Sequence, residues 1–314
     1  MFIQLLVKSL SFKNKLPILI YHQVLPDDDV MRPFEINKTQ FDLQMEVIRK
    51  YFRPVTLYDG VMAAKAGRLT PGSIAVTFDD GYENNYSVAL PILQKYQIPA
   101  TFFVASDFLD GGIMWNDAIL ETFRQAPLGE LDLGGLELGR HWINSDADRF
   151  PAALNVLTQL KHLPFEVRGK KVTEVTKGVQ LPSDLMMSSE QVRQLSSAGM
   201  EIGGHTLTHP ILTKVSIEEA RRQITENKQT LEQILGENIR CFAYPNGKPG
   251  LDYDITVRSL VEKANYALAV STSAGAGSQS CNPFEFPRYT PWRRNRVGFL
   301  VQLISNYFTK PSYA

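Results

Sequence analysis

The chain has 314 residues, 44% hydrophobic and 21% charged, a balance that supports a full buried core and excludes a disordered or fibrous chain. Its 33 basic and 33 acidic residues cancel, so no overall field favours a nucleic-acid partner. Cys241 and Cys281 are too few for a disulfide framework or a thiolate zinc site, and Cys241, in an apolar run, reads as a buried small hydrophobe. The opening Met1-Phe2-Ile3-Gln4-Leu5-Leu6-Val7-Lys8 has no basic leader and is not followed by a small-residue cleavage site, so it is read as not secretory, and a cytoplasmic location is expected. No apolar run approaches the ~18 residues of a membrane span.

In chain order, Leu16 to His22 reads as a strand, Thr39 to Tyr51 as a helix and Pro54 to Leu57 as a short strand. Ser73 to Asp79 is a strand rich in β-branched and apolar residues, followed by a helix from about Tyr86 to Tyr96 and a strand from Ala100 to Ala105. The stretch from about Gly111 to Met187 is mixed and partly helical, and reads as an insertion near the site rather than a second domain. Ser189 to Ser197 is a helix closed by Gly199, and Met200 to Gly203 a short strand. Ile217 to Leu235 is the clearest helix, with Ser216 and Glu219 as a capping box and Gly236 as its stop. Ile239 to Tyr244 and Tyr266 to Thr272 are strands, Ala274 to Ser280 reads as a mobile loop, and an amphipathic helix runs from about Val297 to Phe308.

Strands alternating with helices predict an α/β fold with a mostly parallel sheet. His22, Asp79, His205 and Tyr244 each fall at the C-terminal end of a predicted strand, on strands far apart in sequence. A closed barrel gathers such ends around one mouth, so the expectation is a single domain over 1–314, a distorted (β/α) barrel of about seven strands.

The chemistry lies in three stretches. Thr77-Phe78-Asp79-Asp80-Gly81-Tyr82 puts two carboxylates at a strand end, where they repel unless a cation lies between them. His205-Thr206-Leu207-Thr208-His209 has two histidines at a metal-ligand spacing, after a Gly203-Gly204 pair that lets the backbone bend. Three of these four groups can bind a metal and the fourth act as base, a combination suited to hydrolysing an amide. In Arg240-Cys241-Phe242-Ala243-Tyr244-Pro245-Asn246-Gly247, a backbone N–H at the strand end can face a developing oxyanion.

These stretches, read as Thr-Phe-Asp-Asp-Gly, His-Thr-x-x-His and Arg-x-x-x-x-Pro, resemble in order the first three motifs of the polysaccharide deacetylases of carbohydrate esterase family four, over roughly residues 16 to 290. The resemblance implies a distorted barrel and a divalent metal, most often Zn2+. It implies Asp80, His205 and His209 as ligands, Asp79 as catalytic base and the Tyr244 N–H as an oxyanion donor. A general-acid histidine near the C-terminal end is missing, since no histidine follows His209. The chain is similar to the circularly permuted poly-N-acetylglucosamine deacetylase branch, in which the acid lies on an N-terminal strand, which assigns that role to His22; His141 and His162 fall in the insertion. An arginine supporting Asp79 is also implied, with Arg240 and Arg288 both eligible.

The expected function is metal-dependent removal of acetyl groups from N-acetylated amino sugars of a polysaccharide or glycolipid. The rivals are an O-acetyl esterase, a small-molecule amidohydrolase and a catalytically silent carbohydrate-binding protein. Tyr82, Trp115, Pro245 and Asn246 are candidate substrate contacts, with Tyr253 and Trp292 as further aromatic platforms. The C-terminal helix, preceded by Arg293, Arg294 and Arg296, packs on the barrel or lies on a membrane surface.

Overall fold

Six short apolar runs form the heart of the molecule. The computed structural model describes residues 14–161 and 163–314; the opening stretch read above as non-secretory and His162 lie outside the described residues. The six strands are β1 (Ile18–Tyr21), β2 (Ser73–Phe78), β3 (Ala100–Val104), β4 (Glu201–Gly204), β5 (Cys241–Ala243) and β6 (Leu268–Val270). Their order in the sheet is β6-β5-β4-β3-β2-β1, all parallel, and Arg53–Pro54 adds a seventh short strand beside β2.

The sheet curls, and one extended segment joins its two edges. Phe286 N–H donates to Ala269 O (3.0 Å), and Phe286 O accepts from Ser271 N–H (2.9 Å), on the β6 side. Tyr289 N–H donates to Ile18 O (3.1 Å), and Tyr289 O accepts from Ile20 N–H (3.0 Å), on the β1 side. The seven-stranded curled sheet, its two edges joined by this segment, is the distorted barrel of about seven strands expected above. All strands run one way, so every C-terminal end opens on the same mouth.

The barrel is packed inside and out. Phe103, Cys241, Ala243, Val270 and Phe286 belong to one buried cluster with Leu16 and Ile18. Phe78, Phe102, Phe242 and Tyr244 belong to another, shared with the surrounding helices. Phe78 and Phe102 stack with centroids 4.6 Å apart. Gly203 and Gly204 are small because of this packing, and neither has a positive φ. A Cβ on Gly203 would meet the Phe103 ring, and one on Gly204 the Tyr266 hydroxyl and Asn227. The bend expected at this pair is therefore replaced by a close approach.

Most helices begin and end where their caps dictate. Lys38–Tyr51 opens with Asn37 and Gln40 in a capping box, and Ser189–Ser197 with Ser188 and Gln191. Ile217–Leu235 starts at Ser216, which accepts from the Glu219 N–H, and stops at Gly236 with φ 72°. Only that half of the expected box forms, because the Glu219 carboxylate binds Arg222 and Gln223. The helix expected at Tyr86 opens as a π-helical turn, Asn85–Ala89, ahead of Leu90–Tyr96, which puts Pro91 in a first turn where its missing N–H does no harm.

Two expectations change. The strand at Pro54 to Leu57 is cut short because Thr56 accepts from the Asp59 N–H and caps a helix, Leu57–Lys65. The stretch Ala274 to Ser280 is pinned rather than a mobile loop: Gly277–Ser278 pairs antiparallel with Lys15–Leu16, and a side chain on Gly277 would strike Phe286.

Between β3 and β4, a helix (Trp115–Gln125), a hairpin (Gly129–Asp132 with Arg140–Ile143) and two helices (Asp146–Lys161 and Phe165–Val175) enclose their own apolar cluster. His141 serves that cluster, with Nε2 2.9 Å from Leu138 O and its ring edge-on to Phe123. The last helix, Arg296–Asn306, buries Phe299, Leu300 and Leu303 and touches Lys38–Tyr51, while Val297 and Val301 stay exposed. Among the described residues no helix is long and apolar enough to cross a membrane.

Candidate metal centre and active site

Strand ends deliver the polar groups to the mouth. Asp79 and Asp80 follow β2, and His205 follows β4, which lies two strands away. Asp80 has φ 78°, ahead of Gly81 at φ 94°, where a Cβ would press on Val104. That turn sends the two adjacent carboxylates to different partners. Thr206, His209 and Asn246 are also left-handed, at φ 68°, 53° and 59°. Such conformations cost roughly 1–3 kcal/mol each and persist where surrounding contacts hold them.

For the histidine loop those contacts come from Ile217–Leu235. Gln223 Oε1 accepts from the Leu207 and Thr208 N–H groups at 3.0 and 2.9 Å. Asn227 Oδ1 accepts from His205 N–H at 3.0 Å, and its amide donates to Val104 O and Ser106 Oγ. Both are buried, four residues apart on the inner face of the helix. They tie the histidine loop to β3, and the sequence reading missed them. Two polar residues in the buried stripe of an amphipathic helix are the signal that finds them.

Asp80, His205 and His209 each offer a ligand atom, all within 4.8 Å of one another. Asp80 Oδ1 lies 3.3 Å from His205 Nε2 and 3.4 Å from His209 Nε2. These approaches are not hydrogen bonds, since Asp80 Oδ1 is buried without a partner. His205 Nδ1 sits 2.7 Å from Ala243 O, which only accepts, so Nδ1 carries the proton and Nε2 offers a lone pair. Burial pulls the His209 imidazole down to about 4, against the attraction of Asp80. Burial pushes the Asp80 carboxyl up, but the two imidazoles outweigh it and hold the group below its ordinary range. Two imidazoles and a carboxylate with an orphaned oxygen fit a divalent cation.

Asp79 is held differently. Arg288, fully buried in the segment that joins the barrel edges, donates to Asp79 Oδ1 at 2.7 Å and Oδ2 at 2.8 Å. It also donates to Thr77 Oγ1 and Ser271 O, and lies over the Phe103 ring. Burial pushes the Asp79 carboxyl up, and the Arg288 charge and hydrogen bonds overcome that and lower it. Arg240, the other candidate, precedes β5 and sits at the opposite end of the barrel. It stacks on Tyr58 at 3.8 Å and pairs with Glu201 at 3.4 Å, so it has no part at the mouth.

His22 follows β1, half-buried, and its imidazole makes no hydrogen bond among the described residues. Burial lowers its pKa, but Asp80, Glu35 and Asp79 outweigh burial and raise it. Glu35, missed by the sequence reading, shares a cavity with His22 and accepts from Gln23 N–H at 3.3 Å.

Three expectations need correction. The Tyr244 N–H is not offered to the mouth, because it bonds Val270 O at 3.3 Å as part of the β5–β6 ladder. The Tyr244 ring stacks on Tyr253 at 3.8 Å, and both are core residues rather than sugar platforms. Tyr82 is also buried, donating to Asp117 at 2.9 Å, while Asp117 and Glu121 bind the buried Arg32. It clamps the Asp-Asp-Gly turn to the inserted segment. Of the other candidates, Trp115 and Asn246 line a cavity of about 410 Å³ with Asp80 and His209. Pro245 is buried in the turn leading to Asn246, and Trp292 lines the separate cavity beside His22.

The chain matches the polysaccharide deacetylase family model over residues 66–269. It is 20% identical over 267 residues to the putative polysaccharide deacetylase YxkH of Bacillus subtilis, covering 84% of this chain and 67% of that protein. It is 32% identical over 111 residues to the poly-beta-1,6-N-acetyl-D-glucosamine N-deacetylase of Staphylococcus aureus, a match spanning 31% of this chain and 38% of that one. The fold matches that of IcaB from Ammonifex degensii with a TM-score of 0.59 at 21% identity, over 92% of this chain and 97% of that one. With well over half of its length matched by the family model, the chain belongs to the polysaccharide deacetylase family.

Proposed function

We propose that the protein removes acetyl groups from N-acetylated amino sugars of a polysaccharide or glycolipid intermediate, with a divalent metal, Zn2+, held by Asp80, His205 and His209. One observation carries this reading: the orphaned Asp80 oxygen faces two imidazole nitrogens, while the adjacent Asp79 is locked on Arg288. The metal, when bound, supplies Lewis-acid polarisation of the acetyl carbonyl and of the attacking water.

The chain's own groups handle the protons. Asp79, kept ionised by Arg288, accepts the proton of the attacking water. An amide nitrogen is too basic to leave as an anion, so it must be protonated. His22 supplies that proton, and the acidic groups around it keep the imidazolium populated above the pH at which a free histidine would lose it. A cation on Asp80 cancels that carboxylate's share and makes Glu35 the larger support. The products are acetate and a free amino sugar.

The test is acetate release from N-acetylglucosamine oligomers and from O-acetylated glycans, before and after chelation and zinc return. Release from the N-acetyl substrate, lost with chelator and restored by zinc, is expected. Preference for the O-acetyl substrate would make the protein an esterase, and bound metal with no release from either would make it a silent binder. Asp80→Ala and His205→Ala should each lose both metal and turnover, with zinc content read by elemental analysis. His22→Gln should keep zinc and lower turnover roughly 10²–10⁴-fold, with the basic limb of the pH–rate profile removed. Near-normal turnover in that variant would move the acid role elsewhere.

A further inference from the structure

The inserted helices bring an unneutralised cation to the metal-site cavity. Arg168, from Phe165–Val175, is 6% exposed. Among the described residues no carboxylate pairs with it, and its guanidinium donates a 3.4 Å hydrogen bond to Lys161 O. Its guanidinium lies between aromatic rings, 4.8 Å from Trp115 and 5.6 Å from Phe165. Burial lowers its pKa. Stacking on aromatic faces offsets only part of the desolvation of a buried charge. The other buried arginines have carboxylates: Arg32 has Asp117 and Glu121, and Arg288 has Asp79.

The place of Arg168 gives this a meaning. It lines the cavity of about 410 Å³ that also holds Asp80, His209, Asn246 and Trp115. Lys161 lies on the same wall, exposed, with no anionic partner among the described residues. The chain's net charge is zero, so this pair is a local feature rather than part of a basic surface.

We infer that Arg168 and Lys161 form an anion-recognition subsite, and that the substrate is an N-acetylated sugar bearing a negatively charged group, phosphate or carboxylate, near the scissile acetamide. The substrate part of this inference rests on the deacetylase reading above. A planar guanidinium held over Trp115 presents paired N–H donors that match either anion. The inserted segment thus selects the substrate, and the barrel mouth does the chemistry.

The test is calorimetric binding to the zinc-loaded full chain. The probes are N-acetylglucosamine, N-acetylglucosamine 1-phosphate, and a disaccharide of N-acetylglucosamine with a uronic acid. At least one anionic probe should bind about tenfold or more tightly than the neutral sugar, and the two anionic probes tell phosphate from carboxylate. Arg168→Gln should bring that preference to within about threefold, at unchanged zinc content. Equal affinity for neutral and charged sugars in the wild type would overturn the inference. So would a preference that survives Arg168→Gln, since the anion would then be binding the metal.

Should Arg168→Gln fail to fold, Lys161→Gln at its exposed position decides. A preference reduced about threefold supports the subsite, and an unchanged one overturns it. Acetate release from the same probes separates the two readings. Arg168-dependent binding with no release from any probe would sink the deacetylase reading and leave the subsite standing.

Discussion

Replacing Asp79 by Asn should leave zinc bound and lower turnover roughly 10²–10⁴-fold, the usual worth of a positioned general base. The proposed metal ligands are untouched, because Asp80, His205 and His209 are the three residues placed to hold a cation. The amide still accepts one hydrogen bond from Arg288, so the geometry holds while the basicity goes. KM should change little. The direction of the Asp79 shift sets the pH signature. Its carboxyl is lowered, so it acts as base above its depressed folded value and is lost as pH falls through that value. Asp79→Asn should therefore abolish the acid limb that Asp79 contributes to kcat/KM. Zinc content, single-turnover rates and the pH profile check this together. Near-normal turnover with zinc retained would remove Asp79 from the chemistry.

Arg288→Met should be the most destabilising of these substitutions, because it strands a carboxylate in the interior. Arg288 is fully buried and Asp79 is 3% exposed. Removing one partner of such a pair costs about 3–5 kcal/mol, measured as a shift of the urea midpoint. The loss extends to the barrel seam, since Arg288 sits in the segment bonded to both β1 and β6. The stability that Asp79 draws from this pair is fully present above the unfolded carboxylate pKa and lost as pH falls through the lower folded one. The variant's stability should accordingly depend less on acid than the wild type's. Its acid limb of activity should move to higher pH, because burial then acts on Asp79 without the Arg288 charge. Combining Arg288→Met with Asp79→Asn should recover part of the lost stability, because a buried amide is cheaper to leave unpaired than a carboxylate. A double variant as unstable as the sum of the two singles would assign the loss to the seam alone.

The contrast between Arg240 and Arg288 shows where sequence reading stops. Both follow the family pattern loosely, and both flank short strands. Arg240 enters β5 and so lies at the end of the barrel away from the mouth, beside Tyr58 and Glu201. Arg288 belongs to a barrel member hidden in Phe286-Pro287-Arg288-Tyr289, where a proline removes a ladder donor and weakens the strand signal. Its partner Asp79 is 209 positions away. Tyr244 shows the same limit: the strand end was legible, but a neighbouring carbonyl had already taken its N–H. Tyr82 carries a sugar-platform side chain, and only the proximity of Asp117 turns it into a buried clamp.

The sequence by itself determined the barrel class and pointed to a candidate metal-ligand set, a candidate catalytic aspartate and the place of His22 at a strand end. Those features are local: two carboxylates at one strand end, two histidines within one loop, and apolar runs with clear periods. Which arginine holds Asp79, which helix residues hold the histidine loop and which cations reach the cavity were decided by the tertiary structure alone. Each of those depends on which charge loses water beside which partner, and chain spacing carries no record of a contact made across the barrel.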